Sequence, residues 1–298
     1  MPAKKKAAQN IIAIVYDFDG TLSPGNMQEE TIFQSYGIDK KKFWERSQKL
    51  VVKRGYEKTL AYLKLLIDDP IFRRKPLTRK TLRESARRIT YYPGVNEGYF
   101  DHLADFLNAF PEAREIGITI EHYIISSGLQ DILDGVSIRK YFKETFACEF
   151  DFQGGRPVFP KLVINDTNKT QFLFRINKGM LKLDESINGH MPEAERRIPF
   201  RNMIYIADGP SDIPSFSVVR RYGGMAYAVY AQDSASQFEQ AVALQESGRV
   251  SAYGPADYQE GSPTEKWLQL QVRRIASRIM DERKQALQRR VTAEPRHV

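Results

Sequence analysis

The chain has 298 residues, with 45 Lys and Arg against 37 Asp and Glu and a formal net charge of +8. That length can bury a substantial core, and no apolar stretch reaches the ~20 residues a membrane span needs. Its single Cys148 cannot close an internal disulfide, which suits a reducing compartment, and reads as a core filler.

Ile11-Ile12-Ala13-Ile14-Val15-Tyr16 is an unbroken apolar run, the pattern of a strand buried on both faces inside a parallel sheet. It ends in Asp17-Phe18-Asp19-Gly20-Thr21, which sets two carboxylates just past the carboxyl end of the strand. Crowded acids are costly without a cation, and in open α/β sheets ligands bind at that end of the strands. The Lys4-Lys5-Lys6 run and Gln9-Asn10 before it do not read as a secretory leader, whose removal would take the strand with it, so a cytoplasmic location is expected.

The next stretch, about 25–92, is helical in pattern. Phe43, Ser47, Leu50 and Val51 share one helix face, and Leu60, Leu63 and Ile67 share another, with Pro70, Pro76 and Pro93 as punctuation. Its cations and aromatics, among them Lys53, Arg54, Tyr56, Arg73, Arg74, Arg87 and Arg88, read mostly as solvated faces. Pro93-Gly94-Val95 looks like the return to the sheet. A second strand, Ile118 to Ile125, runs into Ser126-Ser127-Gly128, where either serine could cap a helix beginning near Leu129 and so favour phosphate. Gly154-Gly155, between Phe152 and Val158, predicts a hairpin. Thr170 to Asn177 reads as a helix presenting Lys178-Gly179, and Asn188 to Arg197 as a loop.

Met203 to Ala207 is a third apolar strand, followed by Asp208-Gly209-Pro210-Ser211-Asp212. Ser211 to Tyr222 reads as a helix and Ala226 to Tyr230 as a further strand. Ser262-Pro263-Thr264-Glu265 then opens a long helix with a capping box and proline at its first position. Leu268, Val272, Ile275 and Ile279 form an apolar stripe, with Arg273, Arg274, Arg278, Arg283 and Lys284 largely off it on a solvated basic face. Docking of the stripe on the core is the expectation and a homodimer interface the alternative. From about Arg290 the chain should fray.

In this order, D-F-D-G-T, S-S-G, a lysine and D-G-x-x-D resemble the four motifs of the haloacid dehalogenase (HAD) superfamily, with Lys178-Gly179 resembling the phosphoserine-phosphatase-like version of the third. The resemblance implies an α/β fold, a Rossmann-like parallel-sheet core of residues 1–24 and 93–262, with a mostly helical cap domain, 25–92, inserted after the first strand. Residues 263–298 would be a C-terminal helix and tail packed on the core.

By the same resemblance the chain is a phosphatase. Asp17 would attack phosphorus to form an aspartyl phosphate, and Asp19 would act as acid and then base. Mg²⁺ would be held by the carboxylates of Asp17 and Asp208 and the carbonyl of Asp19. Ser126, the N–H of Ser127 and Lys178 would hold the phosphoryl oxygens, with Gly20, Thr21 and Asp212 in support. Lys169 competes with Lys178, which is favoured for its Gly179 neighbour and its distance from Asp208. In the superfamily P-type ATPases carry threonine at the position of Asp19 and dehalogenases tyrosine, so an acid there implies a phosphatase or a phosphomutase. Asn26 stands where phosphoserine phosphatases place a glutamate, which puts L-phosphoserine in doubt. A cap of this size implies a small soluble phosphate ester and no membrane partner. The alternatives are a phosphomutase or phosphotransferase, a polynucleotide-end phosphatase or, less favoured, a non-catalytic basic protein bound to nucleic acid. Nucleic acid is the disfavoured partner because the cations are dispersed and no nucleic-acid motif appears.

Overall fold

A computed structural model of the chain describes residues 7–291. The Lys4 to Lys6 run and the fraying expected at the C-terminus lie outside the described residues, apart from the last helical turn, which continues to Val291. Among the described residues seven strands form one sheet: β1 (Ile11–Tyr16), β2 (Thr119–Leu129), β3 (Phe142–Gln153), β4 (Arg156–Leu162), β5 (Met203–Ala207), β6 (Met225–Tyr230) and β7 (Ala252–Pro255). Their order is β4-β3-β2-β1-β5-β6-β7.

The strands pair in parallel except β4, which returns antiparallel to β3 through the expected hairpin. Gly154 and Gly155 both take positive φ there (56° and 76°), the backbone a tight two-residue turn demands. β1 is the centre of the sheet, and Ile12 to Tyr16 have no solvent exposure because both faces are covered. Tyr16 lies opposite Ile124 of β2 and Ile206 of β5. The chain winds outward from β1 through β2 and β3, then crosses back and winds the other way through β5, β6 and β7. The reversal at β1 opens a crevice at the carboxyl ends of β1, β2 and β5, where such sheets bind ligands.

The segment between β1 and β2 is helical, as expected. Asp39 caps the helix Lys40–Arg54, its side chain accepting from the Lys42 N–H, and Phe43 and Ser47 are buried on it. Lys58–Asp68 packs against that helix and against β4, so it is covered on more than one side. Leu63 is buried as expected, but Leu60 is 37% exposed, and Thr59 and Tyr62 turn inward instead. β2 runs on through Leu129 and the helix after it is a single turn, Gln130–Leu133, so Ser126 and Ser127 lie on a strand and cap no helix.

The C-terminal helix Pro263–Val291 docks on this chain's own core, with Leu268, Val272, Ile275 and Ile279 all at most 5% exposed. The Ser262 hydroxyl accepts from the Glu265 N–H, but the Glu265 carboxylate turns back to the N–H of Gly261, one residue before the expected partner. Arg278 is not on a solvated face: its guanidinium donates to the Arg201 carbonyl and, at 2.9 Å, to Asn202 Oδ1. No helix among the described residues is long and apolar enough to cross a membrane.

Candidate active site

The tip of β1 continues its hydrogen bonding one residue beyond the strand, the Asp17 N–H donating to the Ile206 carbonyl of β5. The chain then wraps tightly. The N–H groups of Thr21, Leu22 and Ser23 all reach the Phe18 carbonyl, at 3.2, 2.9 and 3.2 Å. Gly20 closes the wrap at φ +77°, and a Cβ there would collide with the Asp208 carboxylate, so glycine is required on both counts. Thr21 is fully buried, its carbonyl accepting from the Tyr258 hydroxyl at 2.8 Å while its own hydroxyl has no hydrogen-bond partner.

This wrap aims Asp17 and Asp19 into the crevice. Asp17 is 6% exposed, with Oδ1 accepting from the Phe18 N–H at 2.8 Å and Oδ2 paired with Lys169 Nζ at 3.0 Å. Asp19 Oδ1 accepts from the Met27 N–H at 2.9 Å. Ser126, two residues past the last pairing of β2 with β1, is buried, and its Oγ accepts from the Gly128 N–H at 3.0 Å. Asp208 stands at the tip of β5, with its carbonyl held by the Gln240 amide at 3.3 Å. The carboxylates of Asp17, Asp208 and Asp212 bring one oxygen each to within 4.8 Å of one another. Asp212 is fully buried and fully engaged: Oδ1 accepts from Lys169 Nζ at 2.8 Å and from the Tyr205 hydroxyl, and Oδ2 from the Ser211 hydroxyl.

The lysine is the correction. Lys178 does not reach the site; its ammonium donates to the carbonyls of Ile187 and Gly189, and Gly179 beside it is the left-handed C-cap of the helix Lys169–Lys178. Lys169, from the first turn of that helix, is 1% exposed and bridges Asp17 and Asp212. A sequence signal for it existed. A lysine in a first turn faces the positive end of the helix dipole, an unfavourable place unless a carboxylate meets it. Asn165 and Asn168 fix that turn, the Asn165 side chain accepting from the Asn168 N–H at 3.0 Å and the Asn168 side chain from the Asn165 N–H at 2.7 Å.

The electrostatics are those of a site crowded with acids. Burial pushes the Asp17 carboxyl up; the Lys169 ammonium works against that, and the Asp212 and Asp208 carboxylates add to it. Burial raises Asp19 to about 7, its bond from the Met27 N–H opposing and Asp208 contributing. Asp208 rises to about 6, by burial and then by repulsion from Asp212. Burial opposes the charge on Lys169, yet Asp17 and Asp212 together hold it above its ordinary value. Hard oxygen donors that repel one another at these distances fit a divalent cation such as Mg²⁺, which takes carboxylate oxygens and keeps several waters.

Above the strand tips lies a cavity of about 450 Å³. Asp17, Asp19, Ser126, Ser127, Lys169 and Asp208 line its floor, and the helices inserted after β1 contribute Trp44, Ser47, Thr59 and Tyr62. The Tyr62 hydroxyl donates to the Ser127 carbonyl at 2.6 Å, tying the inserted segment to the tip of β2. Lys53, Arg54, Tyr56, Arg73, Arg74, Arg87 and Arg88 do not line this cavity. Sequence reasoning did not assign Trp44, Ser47, Thr59 or Tyr62 to the site: periodicity put Ser47 on an inward helix face, but it marks which face is covered and not what that face covers.

No family model matches the chain. An uncharacterised protein of Borreliella burgdorferi is 29% identical to it over 287 residues, covering 87% of this chain and 96% of that protein. Among solved structures, a phosphoserine phosphatase captured as a phospho-aspartyl intermediate analogue is similar with a TM-score of 0.53 at 15% identity, over 89% of this chain and 99% of that one. A probable phosphoserine phosphatase from Vibrio cholerae, unliganded, is similar with a TM-score of 0.54 at 11% identity, over 93% of this chain and 68% of that one. Such likenesses establish the fold: the chain shares the fold of these phosphoserine phosphatases, with the Rossmann-like parallel-sheet core that its motifs led us to expect.

Proposed function

We propose that the chain, built on this fold, is a phosphomonoester hydrolase that works through an aspartyl phosphate on Asp17. One observation carries the reading: Asp17 and Asp19 sit just past β1, flanked by Ser126 of β2 and by Asp208 just past β5, with Lys169 paired to Asp17 on the floor of a cavity walled by the inserted helices. The carboxylates of Asp17 and Asp208 and the Asp19 carbonyl would hold Mg²⁺. When bound, the ion supplies charge neutralisation at the phosphoryl group, whose own negative charge otherwise repels a carboxylate.

The protein's own groups account for the rest. The Ser126 hydroxyl, the Ser127 N–H and the Lys169 ammonium hold the phosphoryl oxygens, and Asp212 keeps Lys169 in place. A carboxylate oxygen of Asp17 forms a bond to phosphorus as the ester P–O bond breaks, and the departing oxygen takes the proton of Asp19. Burial raises the Asp19 carboxyl, which favours the protonated form that this step draws on. Asp19, now a carboxylate, takes a proton from the water that attacks phosphorus, and the bond to Asp17 breaks to release phosphate.

In this reading residues 25–92 act as a cap domain over a core of 1–24 and 93–262, excluding water and selecting a small soluble ester. A cytoplasmic setting accords with the one cysteine, Cys148, being free and buried. The test is phosphate release from para-nitrophenyl phosphate with and without Mg²⁺, beside Asp17→Asn. Release should require the ion and fall by about three orders of magnitude or more in the variant; undiminished release by Asp17→Asn would overturn the assignment.

A further inference from the structure

We propose that the alcohol released by this chain is a neutral, polyhydroxylated skeleton, so that the substrate is a sugar or polyol monophosphate and not a phosphorylated amino alcohol. This rests on the phosphatase reading above and concerns only the half of the cavity facing the inserted helices. With phosphorus over Asp17 and the leaving oxygen beside Asp19, the rest of the substrate must extend toward that wall.

The wall is chemically one-sided. None of the residues that the inserted segment contributes to it is a carboxylate. Glu45 and Glu57, adjacent in sequence to Trp44 and Lys58, do not line the cavity, and Glu57 caps its helix, Oε2 accepting from the Leu60 N–H at 2.8 Å. Glu29 does not line it either and is already satisfied: Oε1 accepts from Asn26 Nδ2 at 3.0 Å and from Trp44 Nε1 at 2.7 Å, and Oε2 pairs with Lys40 at 3.4 Å. Those bonds, opposing the cost of its burial, hold Glu29 below its ordinary range. They also engage one of the two Asn26 amide hydrogens, leaving the other as a donor and its carbonyl oxygen as an acceptor, and fix the Trp44 indole as an apolar surface at the wall. An ammonium entering here meets no anion, only the exposed ammonium of Lys58. Asp166 is the remaining carboxylate of the cavity outside the strand tips, and it lies on the core side, in the turn that leads into the helix of Lys169.

The second observation is a pair of hydroxyl side chains that line the cavity and are not taken up by the protein's own hydrogen bonds. Ser47 and Thr59, on the two facing helices, are only 6% and 5% exposed, both line the cavity, and neither side chain makes a hydrogen bond within the protein. Their oxygens stay open to the cavity, so a ligand hydroxyl can take the place of water there and pair with them. A hydroxyl both donates and accepts, so a polyol pairs with Ser, Thr and a side-chain amide without any charge being buried. Sites that bind ligand hydroxyls in this way discriminate strongly against analogues that lack them.

The experiment measures kcat/KM of the full chain with Mg²⁺ on para-nitrophenyl phosphate, on a set of hexose, pentose and polyol monophosphates, and on phosphoserine, phosphoethanolamine and phosphocholine. At least one sugar or polyol phosphate should exceed every amino-alcohol phosphate by about 10-fold or more. Ser47→Ala and Thr59→Val should each lower the ratio of kcat/KM on that sugar phosphate to kcat/KM on para-nitrophenyl phosphate by about 5- to 30-fold. Amino-alcohol phosphates that match or exceed the sugar phosphates would overturn the proposal, as would a ratio unmoved in both variants. Failure to hydrolyse any ester, para-nitrophenyl phosphate included, would strike the phosphatase reading instead.

Discussion

Asp208 and Asp19 each sit above the unfolded carboxylate value of about 4, Asp208 at about 6 and Asp19 at about 7. A group whose pKa rises on folding contributes stability that is complete below its unfolded pKa and is lost as pH climbs through its folded pKa. Metal-free protein should therefore lose stability between about pH 4 and pH 7, the range these two groups span. Asp208→Asn removes one of the charges, so at about pH 8 it should raise the unfolding free energy of the metal-free protein by about 1–3 kcal/mol while abolishing phosphate release. Urea unfolding in the presence of a chelator measures this, and equal or lower stability of the variant would count against the crowded-acid account. At this scale the sequence was uneven. Asp17, Asp19, Ser126 and Asp208 were legible because each ends an apolar run, and strand tips converge. The lysine was misassigned despite the first-turn signal of Lys169, because a glycine that ends a helix and a glycine that marks a motif look the same in sequence. Only the fold shows Gly179 at φ +74° doing the former and Lys169 reaching the acids.

The elements that carry the site are short turns with little tolerance. Gly20 is the narrowest point, since a side chain there would need both a left-handed backbone and space that the Asp208 carboxylate occupies. Gly20→Ala should cost about 1–3 kcal/mol of stability from the two effects together. It should also lower kcat by more than the stability loss explains, because the wrap sets both Asp17 and Asp19. Thermal melting beside steady-state kinetics separates the two, and wild-type kcat in a folded variant would contradict the role given to the wrap. The strands were readable because burial on both faces leaves a continuous apolar run, as in β1 and β5. The extent of β2 was not, since Ser126 and Ser127 carry no apolar signal and their place in the sheet depends on pairing with β3. The inward turn of Thr59 and Tyr62 at the expense of Leu60 likewise follows from packing on two sides, which periodicity along one helix does not encode.

At the scale of the whole molecule, the sheet order decides that three sequence-distant motifs become neighbours. The C-terminal helix helps hold that sheet, packing against β1, β7 and the helix Tyr99–Asn108. Leu268 is fully buried in that seam, so Leu268→Ala should cost about 2–5 kcal/mol of global stability. At temperatures well below the melting transition kcat should be preserved, and a kcat loss without a stability loss would mean the helix acts on the site directly. The seam was legible in its stripe, whereas the Arg278 contact with Arg201 and Asn202 was not, since a cation off the stripe gives no sign of a partner elsewhere in the chain. The most direct measurement of the central claim is rapid acid quench of the Mg²⁺-loaded protein turning over para-nitrophenyl phosphate labelled in its phosphoryl group, followed by peptide mapping. The account predicts a hydroxylamine-labile label on the peptide that contains Asp17 and none in Asp17→Asn; turnover that leaves the chain unlabelled, or a label on Ser126, would contradict it.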